Sequence, residues 1–421
     1  MSDAQRLLAD AKARQYDIVY VPLGAQAYGG AERSLMDLAT RFAARGQRIL
    51  ILVGPELSQT DFMDEAARRG LPIELVHWTH HRSRWHNLRA ALRTWRDLKP
   101  KLIHFNISWH PDMWLVALCA RLLTRAKLIG SMRAMPDPHQ LVPRRRYLGF
   151  IPGLQLWHLP ELAVGWMWGR ILHRTVTVNA RDFSARLVKH YGYPKERLTV
   201  IYNGIDVNKL RASDDEAQAL RRQACIGDDE FLVALVGRLS EEKGAHLLLE
   251  AIAPLPADIR VVLVGDGPQR AELETLTDKL RLRTRVLIVG YTPNPDLWMA
   301  AADAVAVPST WHEAFGRVVV EAMNQGTPVI ASRVGGMAEL FEDGVQGLYI
   351  NAGDVTDLRT AIAALSHDPR RAQLLGNEGR RLVCERYSLE RVEAEYGKTY
   401  CELIDGAPDG ASSGSDLTAA R

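Results

Sequence analysis

The sequence contains few cysteines, and none of them is placed for metal binding or for a disulfide framework. The 421-residue chain has four, at positions 119, 225, 384 and 401, and no two of them form a Cys-x-x-Cys pair. This spacing excludes zinc ribbons and small disulfide-linked secreted folds, and it is typical of a protein in a reducing cytoplasm.

Long apolar segments are also missing. No uninterrupted apolar run approaches the roughly 20 residues of a transmembrane helix, and residues 1–15 alternate charged and apolar side chains rather than forming the apolar region of a secretory signal peptide. We therefore expect no membrane-spanning helix. The net charge of +3 is too small to indicate a nucleic-acid-binding protein.

What the chain does contain is a series of short β-branched runs separated by segments of helical period, the pattern of an α/β protein with parallel sheets. Several runs are apolar throughout, as expected of strands covered on both faces. The predicted strands are Asp17–Leu23, Arg48–Val53, Ile73–His77, Leu102–Ile107, Lys127–Ser131, Arg174–Val178, Leu198–Tyr202, Phe231–Gly237, Arg260–Val264, Arg285–Val289, Ala304–Val307, Pro328–Ser332 and Leu348–Ile350.

The polar stretch 203–215 separates two halves of similar pattern and indicates an interdomain linker. We predict an N-terminal Rossmann-like domain over 1–205 and a C-terminal one over 206–388. A last helix follows at 389–404, and residues 406–421, rich in Gly, Ser, Ala and Asp, are predicted to be disordered.

Paired glycines, Gly29 and Gly30, occupy the turn between the first strand and the first helix. In parallel sheets this carboxyl edge binds ligands, and glycines there let backbone amides approach a phosphate near a helix N-terminus. A purely structural tight turn is the alternative.

The second half repeats this arrangement with Gly237-Arg238-Leu239-Ser240-Glu241-Glu242-Lys243-Gly244 directly after an apolar strand. Two cations flank the turn, and a fixed pair of positive charges is suited to the negative charge that develops on a diphosphate leaving group. Surface cations on an ordinary loop are the alternative.

Two acids, Glu313 and Glu321, form the strongest pattern. Glu313 lies on a loop after a predicted strand and Glu321 lies in the next helix, with Gly316 between them. Carboxylates accept hydrogen bonds from sugar hydroxyls, and amides near Gly316 can contact phosphate. Solvated surface acids are the alternative, but apolar neighbours surround Glu321, and an unpaired buried carboxylate would be costly.

With these motifs, the sequence resembles a family 4 glycosyltransferase of the GT-B fold over residues 18–403. The resemblance implies two Rossmann-like domains facing each other across a cleft, with the last helix crossing back onto the first domain. It assigns catalysis to Arg238, Lys243 and Glu313. The donor-binding residues that it implies are Gly29, Gly30, Gly237, Phe315, Gly316, Arg317, Val318 and Glu321.

The sequence departs from the family pattern on the acceptor side. Arg133 stands where family members usually carry a histidine that contacts the donor sugar, and only His104 remains of a two-histidine motif. We take His104, Asn106, His110 and Arg133 as acceptor or cleft candidates. A lone strand histidine is, however, more often a packing residue with satisfied hydrogen bonds.

The resemblance implies retaining transfer of a hexosyl group from a UDP- or GDP-linked sugar to a lipid-linked or saccharide acceptor, in polysaccharide, lipopolysaccharide or glycolipid biosynthesis. No Asp-x-Asp sequence is present to hold a metal ion against a diphosphate, so we expect a metal-independent reaction without a cofactor. A sugar phosphorylase or nucleotide-sugar epimerase of the same fold, and a catalytically silent nucleotide-sugar binding protein, are alternatives.

Two basic clusters indicate a further partner. One spans 80–101 and includes Trp85 and Trp95; the other begins at 144–146 and continues into an aromatic-rich stretch with Trp166 and Trp168. Cations beside exposed aromatic side chains suit an anionic membrane surface, so we expect a cytoplasmic protein at the inner face of the membrane. A solvated helix face and a hydrophobic hairpin covering the core are the alternative.

Overall fold

The structure is a computed structural model that describes residues 16–22, 30–78, 84–107, 113–132, 166–177, 184–185, 187–189, 192–208, 211–313 and 315–405. Its internal contacts divide the chain into two compact units. One contains the described residues up to Ile201 and those from Glu393 onward, and the other is Tyr202–Val392. The predicted disordered tail, 406–421, lies outside the described residues.

The first unit contains a seven-stranded parallel sheet in the order β3-β2-β1-β4-β5-β6-β7. Its strands are β1 (Ile18–Pro22), β2 (Ile49–Val53), β3 (Ile73–Leu75), β4 (Leu102–Asn106), β5 (Lys127–Met132), β6 (Arg174–Thr177) and β7 (Leu198–Val200). Its described helices include α1 (Gly30–Ala44), α2 (Phe62–Arg68), α3 (Arg84–Asp97) and α4 (Met113–Leu123), with short 3-10 helices at Leu57–Gln59 and Lys195–Arg197.

The second unit contains a six-stranded parallel sheet in the order β10-β9-β8-β11-β12-β13. Its strands are β8 (Phe231–Val236), β9 (Ile259–Val264), β10 (Val286–Gly290), β11 (Ala304–Val307), β12 (Val329–Ser332) and β13 (Leu348–Ile350). Its helices are α5 (Asp214–Gln223), α6 (Ala245–Ile252), α7 (Arg270–Lys279), α8 (Pro295–Ala301), α9 (Arg317–Gln325), α10 (Val355–His367) and α11 (Pro369–Leu382). Two 3-10 helices, Glu241–Lys243 and Gly335–Glu339, and a π-helix, Val383–Tyr387, complete it, and α12 (Leu389–Asp405) follows.

The central strands are apolar because helices cover both faces of each sheet. Every residue of β1 and β2 is buried, and Ile18 of β1 pairs in parallel register with Ile49 of β2 and Leu102 of β4. Strands of this kind appear in a sequence as continuous apolar runs. The prediction of two Rossmann-like domains with parallel sheets is confirmed, and all thirteen predicted strands are found with ends within about two residues.

Two tryptophans that the sequence suggested as surface aromatics belong to the core. Trp95 is fully buried, stacks on Trp78 with ring centroids 5.8 Å apart, and donates its indole N–H to the carbonyl of Val116 at 3.0 Å. Trp168 is also fully buried, so the surface interpretation is wrong for both. Trp85 is 74% exposed. The basic cluster at 144–146 lies outside the described residues.

The last helix, α12, packs against the sheet of the first unit through hydroxyl groups. His104 of β4 lies between Tyr400, whose hydroxyl is 2.5 Å from Nδ1, and Ser131, whose hydroxyl is 2.6 Å from Nε2. Tyr396 contacts the same serine at 3.0 Å, and Tyr20 contacts Tyr400 at 3.3 Å. Buried polar groups that are mutually hydrogen-bonded in this way fix the register of the helix on the sheet.

Candidate active site

The candidate site lies at the carboxyl edge of the second sheet, where the order of strands reverses. From β8 the chain first adds β9 and β10 on one side and then returns to place β11 on the other side. The loops after β8 and β11 therefore leave neighbouring strands in opposite directions. A crevice at such a switch point is where open α/β sheets bind ligands.

These two loops are joined by their backbones. The amide of Thr310 donates to the carbonyl of Glu242 at 2.9 Å. At Gly244, which has a φ of +72°, an added Cβ would lie 2.2 Å from the carbonyl oxygen of Pro308, so only glycine permits this approach. The cation loop and the acid loop thus form one structural element.

Lys243 and Glu313 come together from opposite ends of this element, although they are 70 residues apart in sequence. The ammonium group of Lys243 contacts Oε1 of Glu313. The hydroxyl of Ser309, which is fully buried, donates to the same oxygen at 3.0 Å. Within the described residues Oε2 of Glu313 has no partner, and this side chain is 19% exposed. One carboxylate oxygen is therefore held and the other can accept a hydrogen bond from a ligand.

Arg238 lies on the same loop in an exposed position, and no ion pair joins it to any acid of the described residues. Glu242, which precedes Lys243 in the chain, accepts a hydrogen bond from the Ser240 hydroxyl at 2.6 Å, and this bond together with the nearby charges of Lys243 and Arg238 lowers the pKa of Glu242. Arg238 is thus a cation whose charge is available to a ligand.

The second acid of the pair, Glu321, is buried in α9 and only 8% exposed. Arg317, one turn earlier, donates its Nε–H to Oε1 at 2.6 Å. This ion pair explains how a carboxylate can lie among apolar neighbours. For Oε2 the described residues supply no partner, so both acids have one held and one open oxygen.

The remaining donor-side candidates are two glycines, which can offer only backbone groups to a ligand, and two apolar residues. Gly237 follows β8 and Gly316 is the N-cap of α9. Phe315 is buried, and its ring centroid lies 5.8 Å from that of Tyr387, while Val318 packs against the same core. The side chain of Phe315 therefore faces the core, so that a ligand can meet only its backbone groups, whereas Val318 is partly buried.

On the N-terminal side, Gly30 is the first residue of α1, and Gly29 lies outside the described residues. His104 is 1% exposed and hydrogen-bonded at both ring nitrogens, which is the packing role that the sequence left as the alternative. Asn106, the last residue of β4, is 6% exposed. His110 and Arg133 lie outside the described residues.

Sequence reasoning missed two contributors to the site. No role was predicted from the sequence for Ser309 or for the glycine pair Gly335-Gly336 after β12. The amide of Gly336 donates to the carbonyl of Glu313 at 2.8 Å. A glycine pair directly after an apolar strand was the available signal. Among the described residues no group of three or more His, Cys, Asp or Glu side chains could hold a metal ion.

Two family profiles match the chain in succession. Residues 28–209 match the family described as "Glycosyltransferase Family 4", and residues 216–382 match "Glycosyl transferases group 1". Among curated proteins, a D-inositol 3-phosphate glycosyltransferase of Xylanimonas cellulosilytica is 32% identical over 55% of this chain and 58% of its own length. An uncharacterized glycosyltransferase of Methanocaldococcus jannaschii is 31% identical over 54% of this chain and 59% of its own. The chain thus matches less than two thirds of these relatives.

Solved structures share the fold over nearly the whole chain. Alr3699/HepE of Anabaena, crystallised in complex with UDP-glucose, is 26% identical and superposes with a TM-score of 0.76 over 92% of this chain and all of its own. WaaG, a glycosyltransferase involved in lipopolysaccharide biosynthesis, is 18% identical and superposes with a TM-score of 0.65 over 92% of this chain and 99% of its own. The two successive profiles, over residues 28–209 and 216–382, show that the chain belongs to family 4 of the glycosyltransferases, and the solved structures show that it has the GT-B fold.

Proposed function

We propose that this protein transfers a hexosyl group from a nucleotide-diphosphate sugar to an acceptor hydroxyl, with retention of anomeric configuration. The observation that supports the proposal is the cluster at the switch point of the second sheet. It combines two cations, Arg238 and Lys243, with two acids, Glu313 and Glu321, that each keep one oxygen open. The cations suit a diphosphate, and the acids suit hydroxyl groups of the sugar and the ribose.

In the proposed reaction the bond between the sugar's anomeric carbon and the diphosphate oxygen breaks on the face that the acceptor oxygen attacks. The acceptor's proton passes to the departing phosphate oxygen. Lys243 and Arg238 stabilise the charge that develops on the diphosphate, which is the role a metal ion has in other transferases. Glu313 orients the transferred sugar through Oε2, and Glu321 holds the ribose.

For the donor we propose a UDP-hexose in preference to a GDP-linked sugar. The support is the Anabaena structure in complex with UDP-glucose, whose whole chain superposes on this one. For the acceptor we propose a lipid-linked or saccharide hydroxyl in polysaccharide or glycolipid assembly. All four cysteines are free, which agrees with a cytoplasmic location.

A thermal-shift panel of nucleoside diphosphates and nucleotide sugars tests the donor proposal. A ligand that binds only the native state raises the melting temperature, so we expect UDP and one UDP-hexose to stabilise the protein more than their GDP counterparts. The selected donor is then incubated with and without acceptor. Consumption of the donor only with acceptor supports transfer, whereas isomerisation without acceptor would indicate an epimerase and contradict the proposal.

We also propose that the protein works at an anionic membrane surface, which would bring it to a lipid-linked acceptor. The exposed face of α3 carries Arg89, Arg93 and Arg96 at helical spacing, and Trp85 is 74% exposed at its beginning. Each cation near an anionic bilayer contributes about 1 kcal/mol. None of the helices in the described parts of the chain has both the length and the apolar character of a membrane span.

Flotation with liposomes tests this surface. We expect the protein to float with vesicles that contain an anionic lipid and to remain in the soluble fraction when the vesicles are neutral. Replacing Arg89, Arg93 and Arg96 by glutamine should lower the partition coefficient onto anionic vesicles about a hundredfold, since three contributions of about 1 kcal/mol are lost. The matched control replaces three exposed arginines of the second unit, Arg222, Arg370 and Arg371. Equal recovery of both variants would contradict the proposed surface.

A further inference from the structure

The carboxylate of Glu313 is held unevenly. Oε1 contacts both the Lys243 ammonium group and the Ser309 hydroxyl, the latter at 3.0 Å, while Oε2 has no partner within the described residues. The two contacts differ in stiffness. Lys243 is a long side chain, 33% exposed, whereas Ser309 is fully buried two residues after β11. The serine therefore holds its oxygen in place with little freedom to move.

The backbone of Glu313 is held from a third loop. Gly336 donates its amide hydrogen to the carbonyl of Glu313 at 2.8 Å. The preceding Gly335 has a φ of +51°, and an added Cβ would lie 2.4 Å from that same carbonyl oxygen. A side chain at Gly335 would thus push the acid away from its position.

This glycine turn is itself braced by an aromatic stack. Tyr349 donates its hydroxyl hydrogen to the carbonyl of Met337 at 2.6 Å. Its ring lies against Phe341 with centroids 4.0 Å apart, and the guanidinium of Arg333 lies 4.5 Å from its ring centroid. Burial raises the pKa of Tyr349 to about 12, so the hydroxyl stays protonated and able to donate at neutral pH. These contacts hold the glycine turn in place, and the turn holds the backbone of Glu313.

Glu313 needs a contact that does not depend on Lys243, because the lysine interacts with two anions: the carboxylate of Glu313 and, in the proposed reaction, the diphosphate. In the proposed reaction its ammonium group moves toward the diphosphate, and a carboxylate held by Lys243 alone would follow it. We propose that Ser309 is a positioning residue: its hydroxyl keeps Oε1 of Glu313 in place while Lys243 engages the diphosphate, so that Oε2 stays directed at a hydroxyl of the transferred sugar. This inference rests on the proposed function and assigns sugar selectivity to the Ser309–Glu313 pair.

The test measures binding of UDP and of the UDP-hexose chosen by the thermal-shift panel, by calorimetry, together with kcat and KM. For Ser309→Ala we expect unchanged affinity for UDP, weaker binding of the UDP-hexose by about tenfold, as for the loss of one hydrogen bond to a charged group, and a lower kcat. The control is Ser332→Ala, which removes another fully buried serine hydroxyl at the end of the neighbouring strand. It should leave both affinities unchanged.

A double-mutant cycle separates positioning from general loss of structure. If Ser309 acts through Glu313, Ser309→Ala has no further effect on the UDP-hexose affinity once Glu313→Gln is present. Full additivity, or equal weakening of UDP and UDP-hexose by Ser309→Ala, would overturn the positioning role. Wild-type protein that binds neither UDP nor any UDP-hexose would instead overturn the proposed donor site itself.

Discussion

Replacing Lys243 by alanine is expected to lower kcat for sugar transfer by about 10²–10³, which is the usual cost of removing one preorganised group that stabilises charge in a transition state. The lysine contacts Glu313 and lies on the loop that shares a backbone hydrogen bond with the acid loop. Its charge is therefore carried by the loop that is expected to bind the diphosphate. The measurement is a donor-saturated rate of transfer with the wild type beside it.

A control variant shows whether the effect depends on the position of Lys243 or only on the loss of one positive charge from the protein. Lys279→Ala, at an exposed position at the end of α7, removes the same charge away from the site and should keep the wild-type rate. Removal of Lys243 also frees Oε1 of Glu313 from its ionic partner and leaves the carboxylate to Ser309. A Lys243→Ala enzyme with a wild-type kcat would contradict the role given to the cation loop.

Glu321→Ala and Glu313→Gln are expected to impair different steps: the first should weaken nucleotide binding, and the second should slow sugar transfer. Loss of Glu321 should weaken UDP and every UDP-sugar alike, by about 10- to 100-fold, because the ribose is common to all of them. Glu313→Gln should leave UDP binding intact or make it tighter, since Lys243 is released from its ion pair toward the diphosphate. It should nevertheless slow transfer by about 10- to 100-fold because the sugar loses a charged acceptor.

Calorimetry with UDP and with a UDP-hexose checks this pair of variants, and melting temperatures show whether each is folded. The Glu321 variant needs that check because the largely buried ion pair between Arg317 and Glu321 is lost, which is destabilising. If Glu313→Gln weakened UDP as much as Glu321→Ala does, the division of the two acids between sugar and ribose would be wrong.

The secondary structure was largely predictable because its signal is local. Strands such as β1 and β2 are buried along their whole length, so each appears as an uninterrupted apolar run. The loops that carry chemistry follow these strands directly, and parallel topology brings their ends to one edge. The sequence therefore predicted that both loops follow strands at the carboxyl edge of a sheet, whereas the pairing of the cation loop with the acid loop depends on β8 and β11 being neighbours, which is a feature of the structure.

The partners of the side chains were not predictable, because they depend on contacts between distant parts of the chain. Nothing local in the sequence relates Gly336 to the carbonyl of Glu313 or Tyr349 to the carbonyl of Met337. The burial of Trp95 is a similar case: its position beside arginines suggested a surface, but α3 turns the indole toward Phe105 and the sheet. The sequence likewise left two interpretations of His104, a cleft residue or a packing residue, and its contact with the distant Tyr400 favours the packing role.

By itself, the sequence determined the two parallel sheets, the glycine turns at their edges, and the residue types available there: two cations and two acids on the loops of the second half. The tertiary structure alone decided how the acids are held, with one oxygen of Glu313 bound by Lys243 and Ser309 and one oxygen of Glu321 bound by Arg317. The physical reason is how far apart in the chain the interacting residues are. Burial of an apolar strand is set by neighbouring residues in the chain, whereas the direction of a carboxylate is set by whichever donors folding brings within about 3 Å of it.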